Sequence, residues 1–356
     1  MSPPVCSGGL RFSDLGEGSK EADRFQENLL KVMMSIEETF FHLAEGCTQN
    51  CIIICDRGTM DASAFVTEEA WKKILDNNGL NLVDIRDNRY NQVIHLVSAA
   101  EGAEEYYTLE DNQCRTEGIE LARERDRRAA EAWVGHPYID VVDNSTNFQA
   151  KMRRLIAAVS RRVGIDTYDR LDPHSRKLKF LVKDFPPDEV FPIFQDFDVI
   201  HDYLVTPPNS GYQARLRKRG QKGKWSYMHT QRRVDAKGQI IEVKRPLSQK
   251  DYMVVCAQNL LAQRDSTHHT IYKLRRCFIW NNIYFQLDVY KSPCIPRCQG
   301  LILLETYTTI PSEQLSSQLP PFLNVSKEIT KDPNYSMHYL SQVDYGTLPN
   351  GHPTNI

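Results

Sequence analysis

The sequence predicts two units of different class: an α/β unit with a parallel sheet over residues 1–165, then an antiparallel, strand-rich unit over 166–340, followed by a polar, disordered tail at 341–356. Two patterns carry this expectation. Up to about residue 165, helical periodicity alternates with short uninterrupted apolar runs, as in strands buried on both faces. Beyond it, apolar and polar residues alternate at period two, with turn residues between the runs. The 356 residues leave room for two cores, and 41% hydrophobic with 25% charged residues is a globular composition.

The elements follow in order. Residues 21–45 place Phe25, Leu29, Val32, Met33, Ile36, Phe40 and Leu43 three or four apart, which predicts an amphipathic helix packed on a sheet. CIIIC at 51–55 reads as a buried strand and VIHLV at 93–97 as a second. A charged helix follows over 116–134, a third strand lies within YIDVVDNS at 138–145, and a basic amphipathic helix spans 148–163. The boundary falls between Gly164 and Asp172. In the second unit GQKG at 220–223, DAKG at 235–238 and Asn281-Asn282 mark hairpin turns.

The totals exclude some functions. A net charge of −2 gives the chain no general attraction to nucleic acid or acidic lipid, so an anion site must be a local cluster. No apolar run reaches the ~18 residues of a membrane span, and MSPPVCSGG lacks the features of a signal peptide. Nine scattered cysteines read as reduced thiols of a cytoplasmic protein, and Cys294 and Cys298 have no second pair at zinc spacing.

In the first unit the run CIIICDRG delivers Asp56 and Arg57 to the carboxyl end of a strand, where open α/β sheets bind ligands. A strand-end carboxylate there can hold the hydration shell of Mg²⁺, and an arginine can grip phosphate bidentately. The alternative is that Asp56 caps a turn. Arg115, Arg123, Arg125, Arg127 and Arg128 would suit a lid over phosphates, although Glu117, Glu120, Glu124 and Asp126 interleave with them as on a solvated helix. Asn144, after the third strand, is placed for a base or ribose contact.

In the second unit residues 211–233 hold eight Lys/Arg and no acid. As a strand, this segment puts Arg215, Arg217 and Arg219 on one face, where they repel unless an anion sits between them. The alternative is a basic edge strand that discourages aggregation. Lys273 with Arg275, Glu242 with Lys244, Gln286 with Asp288, and Glu305 repeat the pattern. A closed barrel with a charged interior accounts for all of them. Glu242, Asp288 and Glu305 are candidates for a divalent metal, or for pairing with the cations.

The segments FQENLL, CDRGTMDASAF, IHLVSAAEGAEEYYT and AWVGHPYIDVVDNSTNF resemble the P-loop, AAA-like kinase domain shared by NadR-type nicotinamide riboside kinases and the TRPL translocation defect family. In that family a strand and a glycine-rich P-loop precede the segment corresponding to SGGLRFSDL, whereas no GxxxxGK(S/T) occurs in this sequence. The chain therefore reads as a truncated P-loop kinase-like unit, a shortened isoform or incomplete gene prediction that binds nucleotide poorly. The second unit resembles the CYTH, or triphosphate tunnel, superfamily. SRKLKFLVKD aligns Lys179 with the end of its ExExK signature, but Ser175 and Lys177 replace the two metal-holding glutamates. The resemblance implies GTP or ATP with Mg²⁺ in a full-length form, phosphoinositides or other polyphosphates as ligands, and a trafficked membrane protein or its carrier as partner. It implies a regulator of membrane-protein trafficking, peripherally associated with endomembranes. A small-molecule kinase or metal-dependent triphosphatase is the alternative.

Overall fold

The computed structural model describes residues 18–107, 118–164, 176–206, 211–234, 240–259, 265–310 and 312–343. They fall into two compact units, one within Met1–His174 plus Asn281–Tyr284, the other within Ser175–Trp280 and Phe285–Ile356.

In the first unit, α1 (Lys20–Glu45) starts at Ser19, whose hydroxyl accepts the Ala22 N–H at 3.1 Å, with Glu21 and Asp23 in the first turn. Thr67 and Asn147 cap α2 (Glu68–Asn77) and α4 (Phe148–Val163) in the same way, and α3 (Ile119–Ala132) lies between them. Gly164 ends α4 at φ 80°, a left-handed conformation that favours glycine. The strands β1 (Val93–Leu96) and β2 (Ile139–Val142) pair in parallel from Val93 opposite Ile139 to Leu96 opposite Val142. The parallel sheet expected from the apolar runs is therefore present.

Two expectations fail here. CIIIC forms no ladder, and Ile54 is 88% exposed. An apolar run becomes a strand only beside a partner that takes its N–H and C=O groups, and among the described residues β1 pairs with β2 alone. The helix α1 is not packed on a sheet by its apolar stripe either. It buries Leu30 and Glu37 but leaves Val32, Phe40 and Leu43 more than half exposed.

The second unit is one antiparallel sheet. Its strands are β3 (Arg176–Val182), β4 (Phe194–Leu204), β5 (Gln213–Gln221), β6 (Lys224–Val234), β7 (Ile240–Leu247), β8 (Ile271–Trp280), β9 (Ile283–Tyr290), β10 (Ile302–Thr308) and β11 (Val325–Glu328). The helices α5 (Gln249–Asn259), α6 (Ser312–Leu315) and α7 (Met337–Ser341) are appended to it. The strand order is β11-β3-β10-β9-β8-β4-β5-β6-β7. This sheet is open, with β11 and β7 as its edges, so the expected closed barrel is corrected: closure needs those two edges to pair, and they do not.

Tight turns fix the register. Lys222 and Gly223 (φ 50° and 78°) join β5 to β6, and Asn281 and Asn282 (φ 47° and 58°) join β8 to β9. Positive φ at both central residues matches the twist of a two-residue hairpin. DAKG lies outside the described residues.

The apolar sheet face holds Leu178, Phe180, Phe278, Phe285, Leu287 and Leu304, all buried, with the Phe191 ring 5.5 Å from that of Phe278. Each such side chain contributes about 1.5–3 kcal/mol on burial. The period-two rule then sends the intervening residues to the opposite face.

Candidate functional site

The opposite face is where the charges gather. In an antiparallel sheet, directly paired residues share a face. Glu305 of β10 pairs with Lys179 of β3 on one side and Gln286 of β9 on the other. Tyr307 pairs with Lys177. Across β4, Val199 stands between Lys273 and Arg219, and His201 between Ile271 and Arg217. Tyr203 pairs with Arg215, which pairs onward with Thr230 of β6 and so with Lys244 of β7. Residues scattered from 177 to 305 thus share one surface because the register is continuous.

Two carboxylates organise the centre. Asp288, 1% exposed, accepts from Lys273 Nζ at 2.5 Å and from Arg275 Nε and an Nη at 2.6 and 2.7 Å. Glu305 faces Lys177 at 2.7 Å, Lys179 at 3.2 Å and Arg275 at 3.6 Å. Burial pushes both carboxyls up, but Arg275 and Lys273 around Asp288, and Lys177 and Lys179 around Glu305, prevail and hold both below the ordinary range. Burial brings the Lys273 ammonium down to about 8 against the pull of Asp288. The Lys179 ammonium is also lowered by burial, and its Nζ donates to the Tyr335 carbonyl at 3.0 Å. Lys177, closest to Glu305, is raised, the carboxylate outweighing burial.

The remaining candidates lie on the β5–β7 side. Glu242 and Lys244 pair at 2.8 Å. Arg215 stands opposite Tyr203 across the strands, and its charge opposes the upward push of burial on the Tyr203 hydroxyl. Arg219 shares the parity of Arg215 and Arg217 but is 3% exposed, its guanidinium 3.5 Å from the centroid of Phe197. Cation–π packing gives it a structural role in this sheet.

This donor set does not fit a divalent metal. The oxygens of Asp288 and Glu305 are directed at lysine and arginine nitrogens, and a divalent ion there would meet four cations. Glu242, Asp288 and Glu305 do not form a metal cluster: among the described residues no group of three or more His, Cys, Asp or Glu is arranged to hold one.

Sequence reasoning missed His201. It is 5% exposed, and neither ring nitrogen has a hydrogen-bond partner among the described residues. Its signal was positional: in DVIHDYL it occupies the inward parity of Val199 and Tyr203.

The first unit treats its candidates differently. Asp56 and Arg57 sit in an exposed turn with Arg57 at φ 73°, and Arg57 reaches Asp61 at 3.3 Å. Asp61 also accepts the Gly58 N–H at 2.7 Å and the Trp133 indole N–H at 3.3 Å. A Cβ on Gly58 would come within 2.8 Å of the Trp133 ring, so this close approach requires glycine. Buried Glu37 accepts from Arg89 at 2.5 Å and from the Tyr90 hydroxyl at 2.8 Å, and that hydroxyl accepts the Thr59 N–H at 2.9 Å. The turn is thus anchored although the run before it has no ladder.

Asn144 donates to the carbonyls of Ser98 and Glu101, both at 2.7 Å, while its own carbonyl accepts from Lys151 at 2.6 Å. Its amide ties two loops together. Arg123 pairs with Glu104 and Glu120 and donates to the Ala100 carbonyl, and Arg127 pairs with Glu124 and Glu131. Arg115 lies outside the described residues. Of the candidates of this unit, Arg123 and Arg127 are thus engaged by acids and Asn144 by carbonyls and a lysine.

Comparison with known proteins gives two findings. The profile of an AAA-domain family matches residues 11–151, which is less than half of the chain. Among solved structures, the second finding is similarity to an inorganic triphosphatase, with 20% identity, TM-score 0.33, and 47% of this chain and 93% of that one covered. A putative adenylyl cyclase from Hippeastrum, described as having a dominant triphosphatase activity, is 11% identical (TM-score 0.25; 43% and 90% covered). The PH1819 protein of Pyrococcus horikoshii is 15% identical (TM-score 0.30; 44% and 93% covered). No curated protein matches the sequence. No described helix is long and apolar enough to cross a membrane.

Proposed function

We propose that the second unit binds polyphosphate groups on the cationic face of its sheet, without hydrolysing them. One observation carries this: among the described residues Lys177, Lys179, Lys273 and Arg275 surround two carboxylates, Asp288 and Glu305, and Arg215 and Arg217 extend the same face. Like charges gathered on one face repel unless an anion enters among them, and guanidinium forks suit phosphate oxygens. The ligand best matched is a phosphoinositide head group, met at a membrane surface by charge rather than insertion. In this reading the chain regulates the trafficking of a membrane protein, and GTP binding by the first unit is weak. A metal-dependent triphosphatase is disfavoured because the carboxylates it would use are engaged by cations.

The test is flotation with vesicles carrying phosphoinositide, compared with phosphatidylserine vesicles of equal surface charge. The expected result is salt-sensitive binding to the first, lost in Arg215→Ala/Arg217→Ala. Undiminished binding by the double variant would remove this face as the site. Phosphate release from tripolyphosphate with Mg²⁺ or Mn²⁺ that disappears in Glu305→Gln would establish the enzyme instead.

A further inference from the structure

The cationic face contains one buried polar side chain that makes no hydrogen bond among the described residues. His201 is buried, and neither ring nitrogen finds a partner among the described residues. The charged groups that act on it are Arg215 and Arg217 from β5 and Lys273 and Arg275 from β8. On its own strand stands Tyr203, which pairs across the strands with Arg215. The carboxylates Asp288 of β9 and Glu305 of β10 belong to the same cluster but are bound to Lys273, Arg275, Lys177 and Lys179. Lysine and arginine offer only donors, so the ring N–H of His201 meets no acceptor among them. An unsatisfied buried group of this kind costs about 1–3 kcal/mol. Among the described residues none supplies that acceptor, and a ligand oxygen entering the face would.

We propose that His201 is a phosphate contact of the cationic face and takes up a proton as the anion binds, so that the face holds phosphate-rich ligands more tightly as pH falls. This inference rests on the polyphosphate reading and deepens it. In the free protein, burial and then the surrounding cations keep the imidazole well below its ordinary value, and therefore neutral near pH 7. A polyanion among Arg215, Arg217 and Lys273 reverses the local potential. The ring gains a proton from solvent at its second nitrogen, and both N–H groups then have phosphate oxygens to donate to. No bond other than this N–H forms or breaks.

The sign follows from linkage. Because the complex binds more protons than the free protein, affinity rises as pH falls, by at most about tenfold per pH unit for one coupled proton. Lys273, brought only to about 8, is already protonated at pH 6.5 and does not supply the effect there.

The experiment is calorimetric titration of the full chain with tripolyphosphate at pH 6.5, in two buffers of different ionisation enthalpy. Wild type is compared with His201→Gln, which keeps a side-chain donor and cannot titrate. Proton exchange by tripolyphosphate itself is common to both proteins, so the difference isolates His201. The expected difference is roughly one proton taken up by wild type and absent in His201→Gln. Equal uptake by both proteins would overturn the role of His201 and leave the polyphosphate reading standing. Absence of binding by wild type at every pH would overturn both. A second measurement needs no variant. In the ring NMR spectrum of wild type, one histidine that does not titrate between pH 7.5 and 6 in the free protein should move to the protonated position on adding tripolyphosphate. If none moves, the inference fails.

Discussion

The arginines of α3 and the cations of the large sheet teach different lessons about charge. On α3, Arg123 and Arg127 meet Glu104, Glu120, Glu124 and Glu131, acids on the same helix or an adjacent loop, with both arginines partly solvated. In the sheet, cations from β3 and β8 converge on two buried carboxylates contributed by β9 and β10. The first arrangement is balanced locally and needs no ligand. The second is held in place by register, and its excess charge is what a polyanion would neutralise.

The largest effect that separates the two is expected from Asp288→Asn. It leaves Lys273 and Arg275 buried without their counter-charge, and breaking a buried pair from one side costs about 3–5 kcal/mol. Urea unfolding should show that loss, with part of it recovered on adding tripolyphosphate. A loss below about 1 kcal/mol would place these charges in solvent rather than in a buried cluster. Acid reaches the same pair. Because the folded values of Asp288 and Glu305 are depressed, their stabilisation is complete above the unfolded carboxyl range near pH ~4. It is lost as pH falls through the lower folded values. An unfolding midpoint that stays constant from neutral pH to below that range would contradict the pairing.

Asn144→Ala comes next. It removes the amide that joins the loops after β1 and β2, and leaves Lys151 without its side-chain acceptor. The expected loss is about 1–3 kcal/mol, with polyphosphate binding unchanged. Binding reduced by this variant would show that the ligand depends on the first unit. Arg127→Ala should change stability by no more than about 0.5 kcal/mol, because exposed helical ion pairs contribute little. A larger loss in thermal unfolding would show that α3 relies on its charges more than its exposure implies.

Much of the sheet was legible in advance. Period-two alternation placed Lys273 and Arg275, and separately Arg215 and Arg217, on common faces because strand geometry alone fixes that parity. Which strands lie side by side is decided by pairing between distant segments. The joining of Lys177, Lys179, Asp288 and Glu305 could not be read locally, nor could the failure of β7 and β11 to meet. CIIIC shows the converse: its composition signals a strand, yet a strand also needs a partner, which composition does not name. His201 was hidden as a single histidine in an alternating run. It becomes informative only when its neighbours across the strands prove to be cations. Asn144 was recognisable as a loop residue, but the carbonyls that engage its amide belong to another loop.

The most direct test of the central claim is titration of the full chain with tripolyphosphate in EDTA, across a series of salt concentrations, with the ligand then recovered for analysis. The account predicts saturable binding without divalent metal and affinity that falls with salt. It also predicts a loss of at least ~10-fold in Arg215→Ala/Arg217→Ala, about 1.4 kcal/mol or more, and tripolyphosphate recovered intact. No binding without metal, or metal-dependent cleavage of the ligand, would contradict it.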